Sequence, residues 1–213
     1  DLSNYVREDR LPPMSGTGKD TITIAVLDTG VDPNVVSSNY LWRNAKEISA
    51  STTDPDGNCY EGDRFGWNFV NHSPDIREDH PSMHGTLVSE FIVQEFEASA
   101  RNFPQVMTLK THDNQGGGDL FSSICAMHYA IDKGANIINA SWGFYYYDED
   151  PHPYLDSLVT HVMREKGILF VTASGNKIDA VDEYAQLRYQ AVHGDTLPAR
   201  LLRNLEIHNF YPA

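Results

Sequence analysis

Apolar positions along the chain follow two alternating rhythms. Thr21–Leu27 (TITIAVL) is β-rich and mostly apolar, and it runs into the turn signal Asp28-Thr29-Gly30. Leu87, Val88, Phe91, Ile92 and Phe96 recur at helical spacing. Val106–Lys110 reads as a short strand. Leu120, Ile124, Met127 and Ile131 return every three or four residues, so a second helix is expected over 119–133, with Gly134 as its stop. Asn136–Ser141 (NIINAS) reads as a strand. Leu155, Leu158, Val159, Val162 and Met163 mark a third helix ahead of Gly167, and Ile168–Ala173 (ILFVTA) is the next apolar strand. Near-continuous apolar strands alternating with amphipathic helices predict an α/β fold, a parallel sheet covered on both faces. Reactive groups in such sheets gather beyond the carboxyl ends of the strands. Asp28, Ser141 and Asn176 all fall at or just after a predicted strand end.

Composition narrows the function classes. The 213 residues suffice for one large domain with a real core. Sixteen Lys and Arg against 30 Asp and Glu leave a net charge of −14, which argues against nucleic acid or an anionic membrane surface as the main partner. No apolar run approaches the roughly 18 residues of a spanning helix. Internal repeats and low-complexity linkers are absent from the sequence. Cys59 and Cys125 allow one bridge or two free thiols, and no four-thiolate zinc site. The chain opens Asp-Leu-Ser-Asn, without Met or an apolar signal segment, which reads as a mature product or an excised piece.

Several residues could carry chemistry. Asp28 either caps its turn or orients a histidine. His84, in MHGTLV, stands at an expected helix start, where backbone N–H groups are free. Asn176, in TASGN, either serves a turn or donates its amide to an oxyanion. Gly116-Gly117-Gly118 is either a flexible loop or a strand with exposed backbone. Asp54, Asp56, Asn58, Glu61 and Asp63 form an acidic run whose alternation suits calcium, although the twelfth position of an EF-hand would be Phe65, so that pattern fails. His72, His80 and His84 lack zinc-helix spacing. Gly16-Thr17-Gly18-Lys19 fails as a phosphate loop, because Pro13 and Asp20 stand where glycine and Ser/Thr are required. Asp148-Glu149-Asp150 reads as a solvated acidic loop. Asn71 is a plausible glycosylation acceptor, whereas Asn139, with the same motif, lies in an expected buried strand.

The order of these motifs is specific. Asp28-Thr29-Gly30, His84-Gly85-Thr86, Gly116–Gly118, Asn139-Ala140-Ser141-Trp142-Gly143 and Ala173-Ser174-Gly175-Asn176 together resemble the subtilisin-like serine peptidases, the subtilases. The resemblance is best over residues 18–176, with a weaker echo at Tyr211-Pro212-Ala213, and Leu41–Asn71 is similar to the family's acidic loop ahead of the histidine motif. It implies a three-layer parallel-sheet fold and peptide-bond hydrolysis through an acyl-enzyme. By this resemblance Asp28 is the orienting aspartate, His84 the general base and Asn176 the oxyanion donor. Gly116, Gly117 and Gly118 with Ser141, Trp142 and Gly143 would bracket an extended polypeptide substrate by backbone hydrogen bonds. No cofactor is implied beyond a structural calcium, with Asp54, Asp56, Asn58 and Asp63 as ligands. A secreted or extracellular location is implied as well.

The sequence departs from the family in three places. Leu87 replaces a second histidine and Glu90 a small residue. The nucleophile is the third departure: the family's Gly-Thr-Ser motif lies well downstream of the asparagine, yet the last serine here is Ser174 and no cysteine follows it. The 213 residues therefore read as a single peptidase domain, incomplete on its C-terminal side, with residues 177–213 an extended loop or helical insertion. A C-terminal remainder or second chain is expected to complete it. The alternative is a non-catalytic relative that at most binds extended peptides.

Overall fold

A computed structural model describes residues 20–47, 54–145 and 152–173, together with positions 190, 194, 210 and 211. The chain divides into two compact units, Asp1–Asn139 with Gly167–Phe170, and Ala140–Lys166 with Val171–Ala213. The expected loop or helical insertion over 177–213, apart from positions 190, 194, 210 and 211, lies outside the described residues, as does Asn176.

A parallel five-stranded sheet organises the first unit, in the order β2-β3-β1-β4-β6. Its strands are β1 (Thr21–Asp28), β2 (Gly66–Asn68), β3 (Phe103–Lys110), β4 (Ile137–Ala140) and β6 (Leu169–Thr172). Burial rises along β1, from an exposed Thr21 to five buried residues ending at Asp28. β1 and β3 pair residue for residue, from Thr21 opposite Phe103 to Asp28 opposite Lys110. β3 starts three residues before the strand expected from Val106. Pro104 lacks an N–H and breaks the sequence signal, but the register to β1 carries the strand through it.

Two helices flank these strands, α1 (His84–Ser99) and α2 (Leu120–Asp132). Val88, Ile92, Val93 and Phe96 of α1 pack on a core built around Ile24, Val26 and Val106. Each fully buried side chain of that size contributes about 1.5–3 kcal/mol. Asp119 caps α2 through a 2.8 Å bond from the Ser122 N–H, and Gly134, at φ 76°, follows the helix as expected.

In the second unit, β5 (Phe144–Tyr145) pairs antiparallel with β7 (Phe210–Tyr211). The third helix contains a π-helical stretch. A short α3 (Pro153–Ser157) starts with proline at its first turn, and a π-helical stretch, Leu158–Met163, follows. The wider turn buries Leu158 and Met163 together although they are five residues apart. Cys59 and Cys125 are free thiols. No helix among the described residues is long and apolar enough to cross a membrane.

The three-residue strand β2 is invisible in the apolar pattern, and it rests on one glycine. Gly66 sits at φ +132°, and a Cβ there would stand 1.8 Å from the Thr108 carbonyl oxygen. Gly66→Ala is expected to destabilise the chain by more than about 2 kcal/mol. Urea unfolding checks this, and a midpoint equal to that of the parent chain would contradict it.

Candidate functional site

Asp28 ends β1 at the carboxyl edge of the sheet and is almost fully buried. Its main-chain carbonyl accepts from Thr111 N at 2.9 Å and His112 N at 3.3 Å, which ties the exits of β1 and β3 together. Its carboxylate accepts from Thr29 N at 2.8 Å. The same carboxylate meets His84, the first residue of α1, with Nδ1 2.8 Å from Oδ1 and 3.0 Å from Oδ2. The His84 side chain is half exposed, whereas that of Asp28 is 5% exposed. A buried acceptor on Nδ1 fixes that nitrogen as the protonated one and leaves Nε2 as the basic one.

The backbone makes this meeting possible. A Cβ on Gly85 would stand 2.5 Å from the Gly30 carbonyl oxygen and 3.1 Å from the Asp28 Cβ. A Cβ on Gly30, at φ +128°, would stand 2.8 Å from the carbonyls of Ile76 and Arg77. Both glycines are therefore required for close approach. Met83, which precedes α1, has left-handed backbone angles and gives no side-chain cap. The helix N-terminus is satisfied from elsewhere, Gly85 N donating to Thr29 Oγ1 at 2.9 Å.

Gly116–Gly118 form an exposed turn closed on Asp113, with Asp113 N donating to the Gly117 carbonyl at 2.8 Å and Gly117 N to Asp113 Oδ1 at 2.9 Å. Gly118 bridges back to His112, and a Cβ on Gly118 would stand 2.8 Å from the His112 ring. Ser141, Trp142 and Gly143 follow β4 in the second unit.

The acidic run splits into two neighbourhoods. Asp63, fully buried, accepts from Asn44 (2.6 Å), Asn58 (2.7 Å) and the Tyr129 hydroxyl (2.7 Å), and lies 3.3 Å from Lys133 Nζ. Burial, then the Asp63 charge, pushes the Tyr129 hydroxyl far up. Lys133 also donates to Asp56. Burial works to raise the Asp56 carboxyl, but Lys133 and Asn44 outweigh it and hold it at about 2. Asp54 and Asp56 instead gather with Glu47, one oxygen of each lying within 4.8 Å of the others. Glu47 is 1% exposed, and both its carboxylate oxygens, like Oδ1 of Asp56, lack a hydrogen-bond partner of normal geometry. Burial, with the Asp63 and Asp56 charges, pushes the Glu47 carboxyl up. Unpartnered buried carboxylate oxygens converging on one point fit a hard divalent cation. Glu47 lies within the Leu41–Asn71 stretch but ahead of the acidic run, so no ligand spacing marks it.

The chain matches the Subtilase family profile over residues 19–197. It belongs to the subtilase family. Among curated subtilases it is 30% identical to subtilisin-like protease 1 of Plasmodium berghei over 166 residues, 74% of this chain and 26% of that protein. It is 28% identical to subtilisin-like protease 2 of Plasmodium falciparum over 207 residues, 92% of this chain and 14% of that protein. The chain thus spans about a quarter or less of the length of these relatives. Its fold is similar to that of a cold-adapted subtilisin-like serine proteinase, with TM-score 0.52 and 19% identity, covering 79% of this chain and 55% of that one. A lanthipeptide protease matches with TM-score 0.50 and 20% identity over 73% of this chain and 39% of that one. At these identities the structures establish the fold alone.

His112 escaped the sequence reading because one histidine in a Gly-rich turn region carries no pattern. Burial pushes its ring below the ordinary histidine range, and the His84 charge adds to this, while Asp28, Asp113 and Asp119 pull the other way. The unfolded chain then binds the extra proton more readily. The stability that neutral His112 contributes is complete above the unfolded value, near pH 6.5, and is lost as pH falls through the lower folded value. His112→Gln is expected to flatten the stability-versus-pH curve below about pH 6.5. Denaturant midpoints measured from pH 7.5 to 5 test this, and unchanged curvature would refute it.

Proposed function

We propose that this chain supplies the acid–base part of a serine endopeptidase centre whose nucleophile comes from outside the 213 residues. The observation that carries this reading is the bond from His84 Nδ1 to both oxygens of buried Asp28 at the carboxyl edge of the sheet. Asp28 holds the ring and stabilises its protonated form. His84 Nε2 takes the serine proton and returns it to the leaving amine. Asn176 donates to the oxyanion. Gly116–Gly118 and Ser141–Gly143 line an extended peptide. Leu87 and Phe91, one turn apart on α1, are 54% and 63% exposed, an apolar face suited to cover by the segment that brings the serine. Glu47, Asp54 and Asp56 hold a structural calcium, which supplies charge neutralisation within the loop. By family, the working location is extracellular.

A fluorophosphonate probe combined with intact mass under denaturing conditions tests the reading. The pure 213-residue chain is expected to stay unlabelled, and a completed domain to be labelled on a serine outside it. His84→Ala in that domain is expected to remove about 10⁶ of turnover. Peptide binding by the chain, with no labelling of the completed domain, would instead establish a binding-only relative.

Calcium removal probes the loop separately. Saturating calcium at about 100 times its dissociation constant is expected to stabilise the chain by about 2.7 kcal/mol, and Glu47→Gln to abolish most of that gain. A melting temperature indifferent to calcium and chelator would exclude the site.

A further inference from the structure

We propose that Glu78 is a positioning residue for the Asp28–His84 pair, its carboxylate binding the turn after Asp28 to the first turn of the helix that carries His84. The role in catalysis rests on the proposed reading of that pair, but the clamp itself does not. Glu78 Oε2 accepts from Thr29 Oγ1 at 2.9 Å, from Thr86 N at 3.1 Å and from Thr86 Oγ1 at 3.1 Å. Its Oε1 accepts from His80 N at 3.1 Å, and its own N–H donates to the Val31 carbonyl at 3.0 Å.

The chemistry of a carboxylate decides the direction of the whole network. An ionised carboxylate only accepts, so both threonine hydroxyls spend their single proton on Glu78. Their lone pairs are then turned toward backbone donors. Thr29 Oγ1 accepts from Gly85 N at 2.9 Å, and Thr86 Oγ1 accepts from Asp32 N at 2.9 Å. Thr29 and Thr86 are 3% and 0% exposed, so neither can turn to water. Thr29 adjoins Asp28, and Gly85 and Thr86 follow His84. One side chain thus ties together the two segments that carry the pair.

The helix needs this anion. Met83 caps nothing with its side chain, and Thr86 N would otherwise be a buried orphan at a helix N-terminus, where negative charge is favoured. Glu78 supplies that charge from a separate loop, six residues ahead of His84 in sequence.

The test reads the His84 Nδ1–H resonance in the NMR spectrum of the full 213-residue chain, where its downfield position and exchange protection report the bond to Asp28. Glu78→Ala is expected to move that resonance upfield and to lose its protection, while the amides of β1 and β3 keep their shifts. Glu78→Gln, which retains one acceptor for Thr86 N, is expected to restore it in part. A folded Glu78→Ala chain with the parent resonance and protection overturns the proposal. If Glu78→Ala does not fold, Glu78→Gln decides alone, since an unchanged resonance there also overturns it. In a completed domain, Glu78→Ala is expected to lower kcat about 10–100-fold with KM nearly unchanged. A perturbed resonance in a completed domain that has no activity would leave the clamp standing and refute the peptidase reading instead.

Discussion

The closeness of two backbones governs this structure. Gly85 approaches Gly30 so tightly that a Cβ on Gly85 would strike the Gly30 carbonyl oxygen, while a Cβ on Gly30 would strike those of Ile76 and Arg77. That contact brings β1 and α1 together across 56 residues of sequence and sets the 2.8 Å bond between Asp28 and His84. Side chains alone would be a poor ruler for such a bond, because a rotamer change displaces a terminal atom by ångströms. Backbone against backbone leaves no such freedom. The exits of β1 and β3 are fixed in the same way, since Thr111 and His112 both donate main-chain bonds to the Asp28 carbonyl.

Beside this contact a buried lysine is paired. Lys110 ends β3 opposite Asp28 at 1% exposure, donating to the Arg77 carbonyl and to Asp79. Burying an ammonium is costly unless it is paired and hydrogen-bonded, and both conditions hold here. The loop of Arg77, Glu78 and Asp79 therefore does two jobs. It satisfies the lysine below the sheet edge, and it delivers the Glu78 carboxylate to the start of α1. A segment with no regular secondary structure is thereby given a defined path, Lys110 of β3 bonding to it and Thr86 of α1 donating to its Glu78.

Much of the sheet was legible in the sequence because β1 and α2 satisfy several signals at once. Apolar runs, turn residues and caps agree over Thr21–Asp28 and Leu120–Asp132. Strand β2 was not legible, since three residues carry no periodicity and Gly66 is there for clearance. The third helix was legible in its apolar spacing, but its π-helical stretch at Leu158–Met163 was not. At the candidate site, Asp28 and His84 were visible through the glycines beside them, Gly30 and Gly85, whose necessity is steric. Glu78, His112 and Glu47 were not visible. Glu78 bonds to Thr29 and His112 to Asp28 across distant sequence, and Glu47 meets Asp54 and Asp56 across the loop, meetings that no local pattern encodes.

The same geometry bears on why the pair persists in a chain with no serine after Ser174. Met83 occupies left-handed backbone space, which costs a residue with a Cβ of the order of 1 kcal/mol. Asp28 is buried beside a half-exposed histidine, although a solvated turn residue would fold at least as well. Met83 stands at the start of α1, and the buried Asp28 carboxylate accepts from Thr29 N and meets the half-exposed His84. Conformational cost that packing does not explain points to a function for the group it positions. Here that group is His84, whose Nδ1 meets the buried Asp28 carboxylate beside Gly30 and Gly85 within one compact unit. The Asp28–His84 geometry is thus set by residues of this one compact unit.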